Sequence, residues 1–400
     1  GITGYNFGII SNCYNTGKIS GTEYVGSIAG GNYGTIADCY YLADSETDKI
    51  NGTTAKTAEQ FASGEVAYLL QQGQEDQTTQ VWGQDLRDEN SLPALNGAKV
   101  YYGYANCSDV VIYSNTELYD IKPNHNYING ICSVCDEYEP AKKTTDKYDI
   151  DGDGEKDTVY EIENAGQLYW FAEYANENDL SANAKLMNDI VINENVLANG
   201  KLNGNGSDFR QWTPIGNDYN SSYTGTFDGQ NHTISGLYIN IEIKYVGLFG
   251  FTGSDAEIKN VGVIGNYIHS SNENAYISGI VGYNKGTVTN CYNIGTISGS
   301  GEFALCGSIA GCNCGTITNC YNTGTISGEN RAGGITGYND GTISNCYNTG
   351  TISGEYCAGG ITGYNDGTIS NCYNTGTISG EYCAGGITGY NDGTISNCYN

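Results

Sequence analysis

Four residues whose side chains bind zinc lie close together in the sequence. They are Cys107, His125, Cys132 and Cys135. Zinc takes four nitrogen or sulfur ligands in a tetrahedron, and a Cys-x2-Cys pair places two thiolates on one turn. A segment this short cannot hold a hydrophobic core, so a bound metal would stabilise its fold. The set predicts a structural zinc site, with a disulfide at Cys132–Cys135, a disulfide that includes Cys107, and unpaired thiols as the alternatives.

An acidic segment follows with the spacing of a calcium loop. Its carboxylates occupy loop positions 1, 3, 5 and 9 and belong to Asp149, Asp151, Asp153 and Asp157. Gly154 stands at position 6, where the sharp turn of such a loop needs glycine. Position 12 holds Tyr160 instead of the usual bidentate glutamate, although Glu161 is adjacent. The spacing predicts a bound structural calcium ion, and a solvated acidic linker is the alternative.

Tyrosine and aspartate recur together, once every 26 residues, towards the end of the chain. The tyrosines are Tyr338, Tyr364 and Tyr390, and the aspartates are Asp340, Asp366 and Asp392. A ring face beside hydrogen-bonding groups suits a pyranose, so these residues form a candidate ligand-binding ladder on the surface. The alternative is that the tyrosines stack on one another and only stabilise the fold.

The sequence contains little that suits catalysis. It has three histidines, His125, His232 and His269, and no His-Glu-x-x-His motif. Asp228 and His232 are the unrepeated acid and base candidates, and Asp228 is expected to close a Phe-Asp-Gly turn. We therefore predict no catalytic residue, no enzymatic activity and no organic cofactor.

An internal repeat determines how these residues are positioned. The 26 residues from Gly334 are repeated without change from Gly360, and a third copy begins at Gly386. Within a copy, short β-prone runs alternate with Asn, Asp and Gly turns, which tolerate the positive φ of sharp corners. One copy cannot bury its isoleucines alone, whereas stacked copies can. We predict an all-β, parallel, right-handed β-solenoid with three short strands per rung and a ladder of buried thiols.

The repeat also resembles a known family. Residues 279–295 read Gly-Ile-Val-Gly-Tyr-Asn-Lys-Gly-Thr-Val-Thr-Asn-Cys-Tyr-Asn-Ile-Gly. This segment and its copies, in residues 1–45 and 210–400, resemble the GLUG repeat of large bacterial surface proteins. Those proteins include adhesin-like proteins and the non-catalytic parts of IgA-specific metallopeptidases. The resemblance implies a location at the cell surface and a role in adhesion, and it carries no catalytic residues.

The composition changes along the chain and predicts five regions. Residues 1–45 end a first solenoid, and 46–105 form its C-terminal cap, with a capping box at Thr57 and Gln60. Residues 106–148 form a connector with the zinc set. Residues 149–205 contain the acidic loop and an N-terminal cap with a helix from about Asn164 to Ala175. Residues 206–400 form a second solenoid, so two solenoid units are joined by a small connector.

Charge and hydropathy restrict the partners. The net charge of −28 opposes binding to nucleic acid or to an anionic membrane surface. No apolar run approaches the ~20 residues that span a bilayer, so we predict no membrane insertion. Gly1 and Asn400 both fall within a repeat, which suggests a piece of a longer protein.

These observations predict a non-catalytic, extracellular, adhesin-like protein of the bacterial cell surface. Its expected partners are host glycans, matrix or other cell-surface proteins. A stalk that spaces another domain from the cell wall is the second hypothesis, and a carbohydrate-active solenoid enzyme is the third.

Overall fold

The computed structural model describes residues 1–43, 52–76, 78–88, 90–105, 107, 110–116 and 125–400. These residues form two compact units. The first contains Gly1–Asn126 and Ser133–Cys135, and the second contains Tyr127–Cys132 and Asp136–Asn400.

The first unit begins with coils of parallel strands. Its strands are β1 (Thr3–Asn6), β2 (Ile9–Ser11), β3 (Tyr14–Asn15), β4 (Ala29–Asn32), β5 (Thr35–Ala37), β6 (Cys39–Leu42), β7 (Thr53–Lys56), β8 (Trp82–Gly83), β9 (Ala94–Leu95), β10 (Tyr101–Tyr104) and β11 (Val111–Ser114). The pairs β1–β4, β2–β5 and β3–β6 are parallel. Each residue pairs with the residue one repeat later, as Ile10 does with Ile36, so the solenoid prediction holds for this unit.

Two short helices follow these coils, α1 (Ala58–Ala62) and α2 (Glu65–Gln72). The Thr57 hydroxyl accepts from the Gln60 amide at 3.2 Å, and the Gln60 side chain accepts from the Thr57 amide at 3.0 Å. The predicted capping box is therefore confirmed. Buried Phe61 and Leu70 pack with Tyr40 of β6, so the helices cover apolar surface of the last coil. Residues 46–51, 77 and 89 of the predicted cap lie outside the described residues, as do residues 44 and 45 of the predicted solenoid.

The second unit opens with a helical and irregular segment. Its first strands are β12 (Tyr127–Ile128), β13 (Ile131–Cys132), β14 (Lys142–Tyr148), β15 (Asp157–Ile162), β16 (Asn183–Leu186), β17 (Ile190–Val191), β18 (Leu197–Ala198) and β19 (Lys201–Leu202). Asn164 is the N-cap of helix α3 (Ala165–Glu177), and its side chain accepts from the Gln167 amide at 3.0 Å. It buries Leu168, Phe171, Ala172 and Ala175, the face that the sequence predicted.

Successive rungs then stack as parallel strands. The irregular early rungs contain β20 (Thr226–Asp228), β21 (Thr233–Ser235), β22 (Tyr238–Asn240), β23 (Tyr245–Val246), β24 (Phe249–Thr252), β25 (Glu257–Lys259), β26 (Gly262–Ser270), β27 (Tyr276–Ile277), β28 (Val281–Asn284), β29 (Thr287–Thr289) and β30 (Tyr292–Gly299). Next come β31 (Leu305–Gly307), β32 (Ala310–Asn313), β33 (Thr316–Thr318), β34 (Tyr321–Asn322), β35 (Thr325–Gly328) and β36 (Arg331–Gly333).

The regular rungs contain β37 (Thr336–Asn339), β38 (Thr342–Ser344), β39 (Tyr347–Asn348), β40 (Thr351–Gly354), β41 (Cys357–Gly359), β42 (Thr362–Asn365), β43 (Thr368–Ser370), β44 (Tyr373–Asn374), β45 (Thr377–Gly380), β46 (Cys383–Gly385), β47 (Thr388–Asn391) and β48 (Thr394–Ser396). They pair in four parallel sheets, with Ile343 opposite Ile369 and Tyr338 opposite Tyr364. The fold is thus a parallel β-solenoid, as predicted. The expectation of three strands per rung is wrong, because the short Tyr-Asn and Cys-Ala-Gly segments also pair with their copies.

The core of the rungs combines apolar and polar ladders. Ile335, Ile343 and Ile352 are fully buried. The cysteines Cys320, Cys346 and Cys372 are buried thiols, which confirms the thiol ladder. Two ladders of asparagine, which the sequence analysis did not predict, are equally buried and run through Asn284, Asn313, Asn339 and Asn365 and through Asn293, Asn322, Asn348 and Asn374. Their side chains are hydrogen bonded from rung to rung, which satisfies the buried polar groups of the ladders except Oδ1 of Asn293.

Among the described residues, no helix is both long enough and apolar enough to cross a lipid bilayer.

Candidate binding surface and metal sites

The predicted tyrosine and aspartate ladder lies along one face of the solenoid. The rings of Tyr338 and Tyr364 stack with their centroids 5.5 Å apart, and those of Tyr364 and Tyr390 lie 4.7 Å apart. Two of the hydroxyls donate to the aspartate one rung later, from Tyr338 to Asp366 at 2.5 Å and from Tyr364 to Asp392 at 2.8 Å. This bond to Asp392 raises the pKa of Tyr364 to about 12. We name these tyrosines, with Asp340, Asp366 and Asp392, the tyrosine–acid ladder.

The ladder combines packing with exposure. Tyr338 and Tyr364 are half-buried between their neighbours, whereas Tyr390 is exposed, and so are all three aspartates. The tyrosine rings stack on one another, as the alternative of a purely stabilising ladder predicts. The carboxylates and the free edges of the rings nevertheless face solvent, so hydroxyl-bearing ligands can reach them.

Arg331 lies on the same face and was missed in the sequence analysis. Its guanidinium lies 4.3 Å from the ring centroid of Tyr364 and 5.3 Å from that of Tyr338. This residue pairs with Leu305 on one side and Cys357 on the other. Arg331 is therefore a cation at a position where the neighbouring rungs have uncharged residues. This difference becomes visible only when the rungs are aligned with one another.

A second tyrosine ladder, also not predicted, follows strands β34, β39 and β44. The centroids of Tyr321 and Tyr347 are 4.9 Å apart, and those of Tyr347 and Tyr373 are 5.0 Å apart. The rings are nearly parallel, at 3° and 4°. This ladder provides matched control residues for tests of the tyrosine–acid ladder.

Three residues of the predicted zinc set converge in the first unit. Ligand atoms of Cys107, His125 and Cys135 lie within 4.8 Å of one another. The Cys135 sulfur is 3.4 Å from Nδ1 of His125. Cys132 is buried in β13 of the second unit, three positions before Cys135 in the chain. Two sulfurs and one imidazole nitrogen are ligands that Zn²⁺ prefers.

The acidic loop holds three of its four predicted carboxylates together. Oxygens of Asp149, Asp151 and Asp153 lie within 4.8 Å of one another. The Asp149 carboxylate also accepts from the amides of Gly152 and Gly154 at 2.8 and 3.1 Å. Asp157 instead accepts from the Ile150 amide at 2.8 Å, so this carboxylate fastens the two ends of the loop.

Glu161, the neighbour of loop position 12, has a different role. Its side chain is 2% exposed and accepts from Lys142 Nζ at 2.7 Å, Lys147 Nζ at 2.8 Å and the Tyr148 hydroxyl at 2.7 Å. The hydrogen bonds from the two lysines and the tyrosine lower the pKa of Glu161 to about 2. This carboxylate therefore stabilises the β14–β15 pair and is not available to a calcium ion.

A pH dependence follows from Glu161. A carboxyl whose pKa is lower in the folded state stabilises the fold above its unfolded pKa, and this contribution is lost as the pH falls from about 4.5 towards 2. Glu161→Gln should lower the free energy of unfolding by about 2 kcal/mol at pH 7 and by almost nothing at pH 2. Urea unfolding at both pH values measures this. An equal loss at both would contradict the assignment, and Glu155→Gln on the exposed loop is the control.

The unrepeated acid and base candidates are engaged in turns. Asp228 is buried, and its carboxylate accepts from the Gln230 amide at 2.9 Å and from the Asn260 side chain at 3.0 Å. It closes the turn, as predicted. Nδ1 of His232 lies 3.3 Å from Asp189 Oδ1 at the surface.

A pair of cysteines interrupts the tyrosine–acid pattern at Cys312 and Cys314. The Cys314 sulfur lies 3.1 Å from the Tyr283 hydroxyl. A hydrogen bond from Cys312 lowers the pKa of Cys314 to about 6, whereas the same contact raises the pKa of buried Cys312. The signal in the sequence was the replacement of Tyr-Asn-Asp by Cys-Asn-Cys.

Cys314 should therefore react faster than Cys312 and Cys357. Its lowered pKa leaves more of the thiol as thiolate at neutral pH, and the thiolate is the nucleophile. At pH 7 we expect iodoacetamide to modify Cys314 at least about tenfold faster than Cys357, whose pKa is raised by burial. The rate should fall by half near pH 6. Peptide mapping by mass spectrometry after short labelling measures both rates, and similar rates would contradict the assignment.

Two consecutive repeats of this parallel β-solenoid match a known motif. Residues 328–353 and 354–379 each match the GLUG motif. These segments contain most of the regular rungs, including Arg331 and the first two tyrosines of the tyrosine–acid ladder.

Two individual proteins have sequences similar to parts of this chain. The chain is 31% identical over 140 residues to a protein of Evansella cellulosilytica described as a Gly-rich membrane protein, which covers 35% of this chain and 15% of that one. It is 29% identical over 150 residues to Halomucin of Haloquadratum walsbyi, which covers 37% of this chain and 2% of Halomucin. The chain thus spans only a small part of these relatives.

One solved structure also has similar coordinates. It is described as an immunoglobulin A1 protease from Bacteroides ovatus and is 25% identical, with a TM-score of 0.49. The match covers 60% of this chain and 75% of that one.

Proposed function

We propose that this chain is a non-catalytic part of a bacterial cell-surface protein, and that its solenoid adheres to host glycans, matrix or other cell-surface proteins. The observation that carries the proposal is the tyrosine–acid ladder, which repeats one ring and one exposed carboxylate per rung in parallel register. The description of one relative as a Gly-rich membrane protein supports a location at the cell envelope.

The ladder suits weak, repeated contacts. Rungs are about 4.8 Å apart, so an extended polymer that lies along the face meets a ring edge and a carboxylate at each step. A carboxylate accepts hydrogen bonds from sugar hydroxyls, and the exposed side of Tyr390 offers an apolar ring. Each contact is weak, but several on one rigid body raise the overall affinity without a deep pocket.

A structural stalk is the second candidate function. It is favoured by the engagement of the Tyr338 and Tyr364 hydroxyls within the ladder, because those groups then bind the protein's own aspartates. A solenoid held by asparagine and tyrosine ladders is also rigid enough to act as a spacer. A carbohydrate-active enzyme is the third candidate, and the engagement of Asp228 in its turn weighs against it.

Binding of the full chain to a glycan array and to fibronectin tests the main proposal. The double variant Tyr364→Ala, Tyr390→Ala should reduce binding at least about tenfold, because it removes two of three repeated contacts. Tyr347→Ala, Tyr373→Ala changes the second tyrosine ladder in the same way and should leave binding within about twofold. No binding by the folded chain would instead favour the stalk.

We also propose a structural zinc ion at the Cys107, His125 and Cys135 group. The protein purified without chelator should contain about one zinc per chain, and Cys135→Ser should release it. Cys357→Ser, a half-buried thiol in the rungs, is the control. Elemental analysis measures the metal, and full zinc content in Cys135→Ser would contradict the proposal.

A structural calcium ion at Asp149, Asp151 and Asp153 is the second metal proposal. Added Ca²⁺ should slow amide exchange in residues 149–157, and Asp151→Asn should abolish the effect. Asp208→Asn is an exposed control. Unchanged exchange on Ca²⁺ addition would contradict the site. If glycan binding is lost with EDTA but not with the tyrosine variants, the acidic loop rather than the ladder is the binding surface.

A further inference from the structure

One rung interrupts the column of aromatic rings on the ladder face. Successive partners in this column are Phe251, Tyr283, Cys312, Tyr338, Tyr364 and Tyr390. Cys312 is the member without a ring. The adjacent column, which contains Tyr245 and Tyr276, changes to Leu305 at the same rung. This rung therefore lacks a ring in both columns.

The missing ring leaves a cavity of about 390 Å³. Its walls include Tyr283 and Tyr338, with Leu305 and Arg331 at one side, and Cys312, which is only 3% exposed, stands between the two tyrosines. We name this cavity the notch. Its volume lies within the range of small-ligand sites.

The spacing of the notch matches one flat ring. Two rungs separate Tyr283 from Tyr338, so their rings are about 9.6 Å apart, and a ring at the vacant position would lie about 4.8 Å from each. The occupied steps have nearly this separation, at 4.7 Å for Phe251 and Tyr283 and 5.5 Å for Tyr338 and Tyr364.

The repeat also indicates a hydrogen-bond acceptor for a ring in the notch. Asp366, the carboxylate that lines the cavity, already accepts from Tyr338, so the acceptor is the aspartate of the preceding rung. In this column the hydroxyls of Tyr338 and Tyr364 each donate to the aspartate one rung later, whereas the Tyr283 hydroxyl lies 3.1 Å from the Cys314 sulfur. Asp340 stands one rung after Cys312, at the position that Asp366 has relative to Tyr338. Asp340 is exposed, and within the described part of the chain its carboxylate accepts no hydrogen bond. Likewise, no described carboxylate lies within ion-pair distance of Arg331, which contacts Tyr338 and Tyr364.

We propose that the notch binds a tyrosine side chain presented by a partner polypeptide. The phenol ring stacks between Tyr283 and Tyr338 and completes the column, and its hydroxyl donates to Asp340. A pyranose also carries hydroxyls, but its puckered ring fits less well at the separation of two flat stacking faces. The notch shares Tyr338 and Asp340 with the tyrosine–acid ladder, but the binding of a tyrosine there does not require that glycans bind along the ladder.

The test uses the full chain and N-acetyl-tyrosinamide, with N-acetyl-phenylalaninamide as the probe that lacks only the hydroxyl. Titration followed by NMR should show saturable binding, about tenfold tighter for the tyrosine probe, because a hydrogen bond to a charged acceptor is added. Asp340→Asn should reduce this preference to about twofold. Methyl glucopyranoside should bind more weakly than either amide, and tighter binding of the sugar would overturn the assignment.

Cys312→Tyr fills the notch with the residue that the other rungs use, so it should fold with an unchanged or higher melting temperature and bind neither probe. Tyr373→Ala, in the second tyrosine ladder, should bind as the unchanged protein does. Unaltered binding in Cys312→Tyr, or none to the unchanged protein, would overturn the proposal. If that variant does not fold, the loss of the tyrosine preference in Asp340→Asn decides the matter.

One further measurement identifies the source of the bound tyrosine, and another distinguishes the notch proposal from the glycan-binding proposal. A concentration series of the chain alone, followed at the Tyr283 and Tyr338 resonances, detects a second copy as the source of the tyrosine, and such self-binding would contradict a separate partner. Cys312→Tyr should retain glycan-array binding, whereas Tyr390→Ala should retain probe binding. Failure of either proposal is therefore recognisable without the other.

Discussion

Replacing Asn348 with alanine is expected to lower the stability of the rungs around it by about 3–5 kcal/mol. Asn348 is fully buried. Its side chain donates to Asn374 Oδ1 at 2.8 Å, accepts from Asn322 Nδ2 at 2.8 Å and accepts from the Gly350 amide at 3.1 Å. Alanine supplies none of these groups, so the polar atoms of the adjacent asparagines are left buried without partners.

Hydrogen exchange is the suitable measurement, because a repeat array opens locally as well as globally. Amides of residues 321–376 should exchange at least about a hundredfold faster in Asn348→Ala. Asn330→Ala is the matched control, since that side chain makes one bond, at 2.9 Å to the Glu302 carbonyl, near the surface. Equal effects of the two variants would show that the asparagine ladder contributes little to stability.

Trp212→Ala is expected to have a comparable effect at the start of the solenoid. The indole is fully buried, its Nε1 donates to the Leu248 carbonyl at 3.1 Å, and its ring lies 5.3 Å from that of Tyr169 in α3. It thus connects the capping helix to the first rungs. Removing a buried tryptophan of this kind costs about 3–5 kcal/mol.

Urea unfolding followed by far-ultraviolet circular dichroism measures this loss. Trp212→Phe keeps most of the packing but not the donor, so it should lose about 1–2 kcal/mol. Trp170 is a half-buried tryptophan of α3, and Trp170→Ala should lower the free energy of unfolding by less than Trp212→Ala does. A smaller loss for Trp212→Ala than for Trp170→Ala would contradict the assigned role.

The repeat made the architecture predictable from the sequence. Two identical copies fix the register, since any shift would place Ile343 and Ile369 on different faces. Helix α3 and the capping box at Thr57 were also predictable, because they depend on local patterns. The number of strands per rung was not, because two-residue strands such as Tyr347–Asn348 carry no periodic signal.

The buried asparagines were missed for a related reason. Asn next to Gly predicts a turn, and Asn348 does bond to Gly350 as a turn residue would. The same side chain also bonds its copies in neighbouring rungs, a contact that arises only after stacking. Propensity describes one rung, whereas the ladder is a property of several.

The candidate sites were predictable in part. The spacing in the sequence identified residues that converge, such as Cys135 and His125. It did not indicate that lysines of β14 form ion pairs with Glu161. Arg331 and Cys312 were not predictable from the repeated pattern, because each departs from it at a single rung. In a solenoid, a departure from the repeat marks the place where one rung differs in chemistry from its neighbours.

Removing one whole rung tests most directly the claim that the ladder makes repeated contacts. Residues 360–385 copy residues 334–359, so their deletion from the full chain leaves every junction unchanged. The deletion removes one tyrosine and one aspartate of the tyrosine–acid ladder, together with Tyr373 and Tyr382. On a sensor coated with mucin, or with fibronectin, we expect the apparent affinity to fall about tenfold, and to rise when the rung is duplicated. Affinity that is independent of the number of rungs, in proteins shown to be folded, would contradict the account.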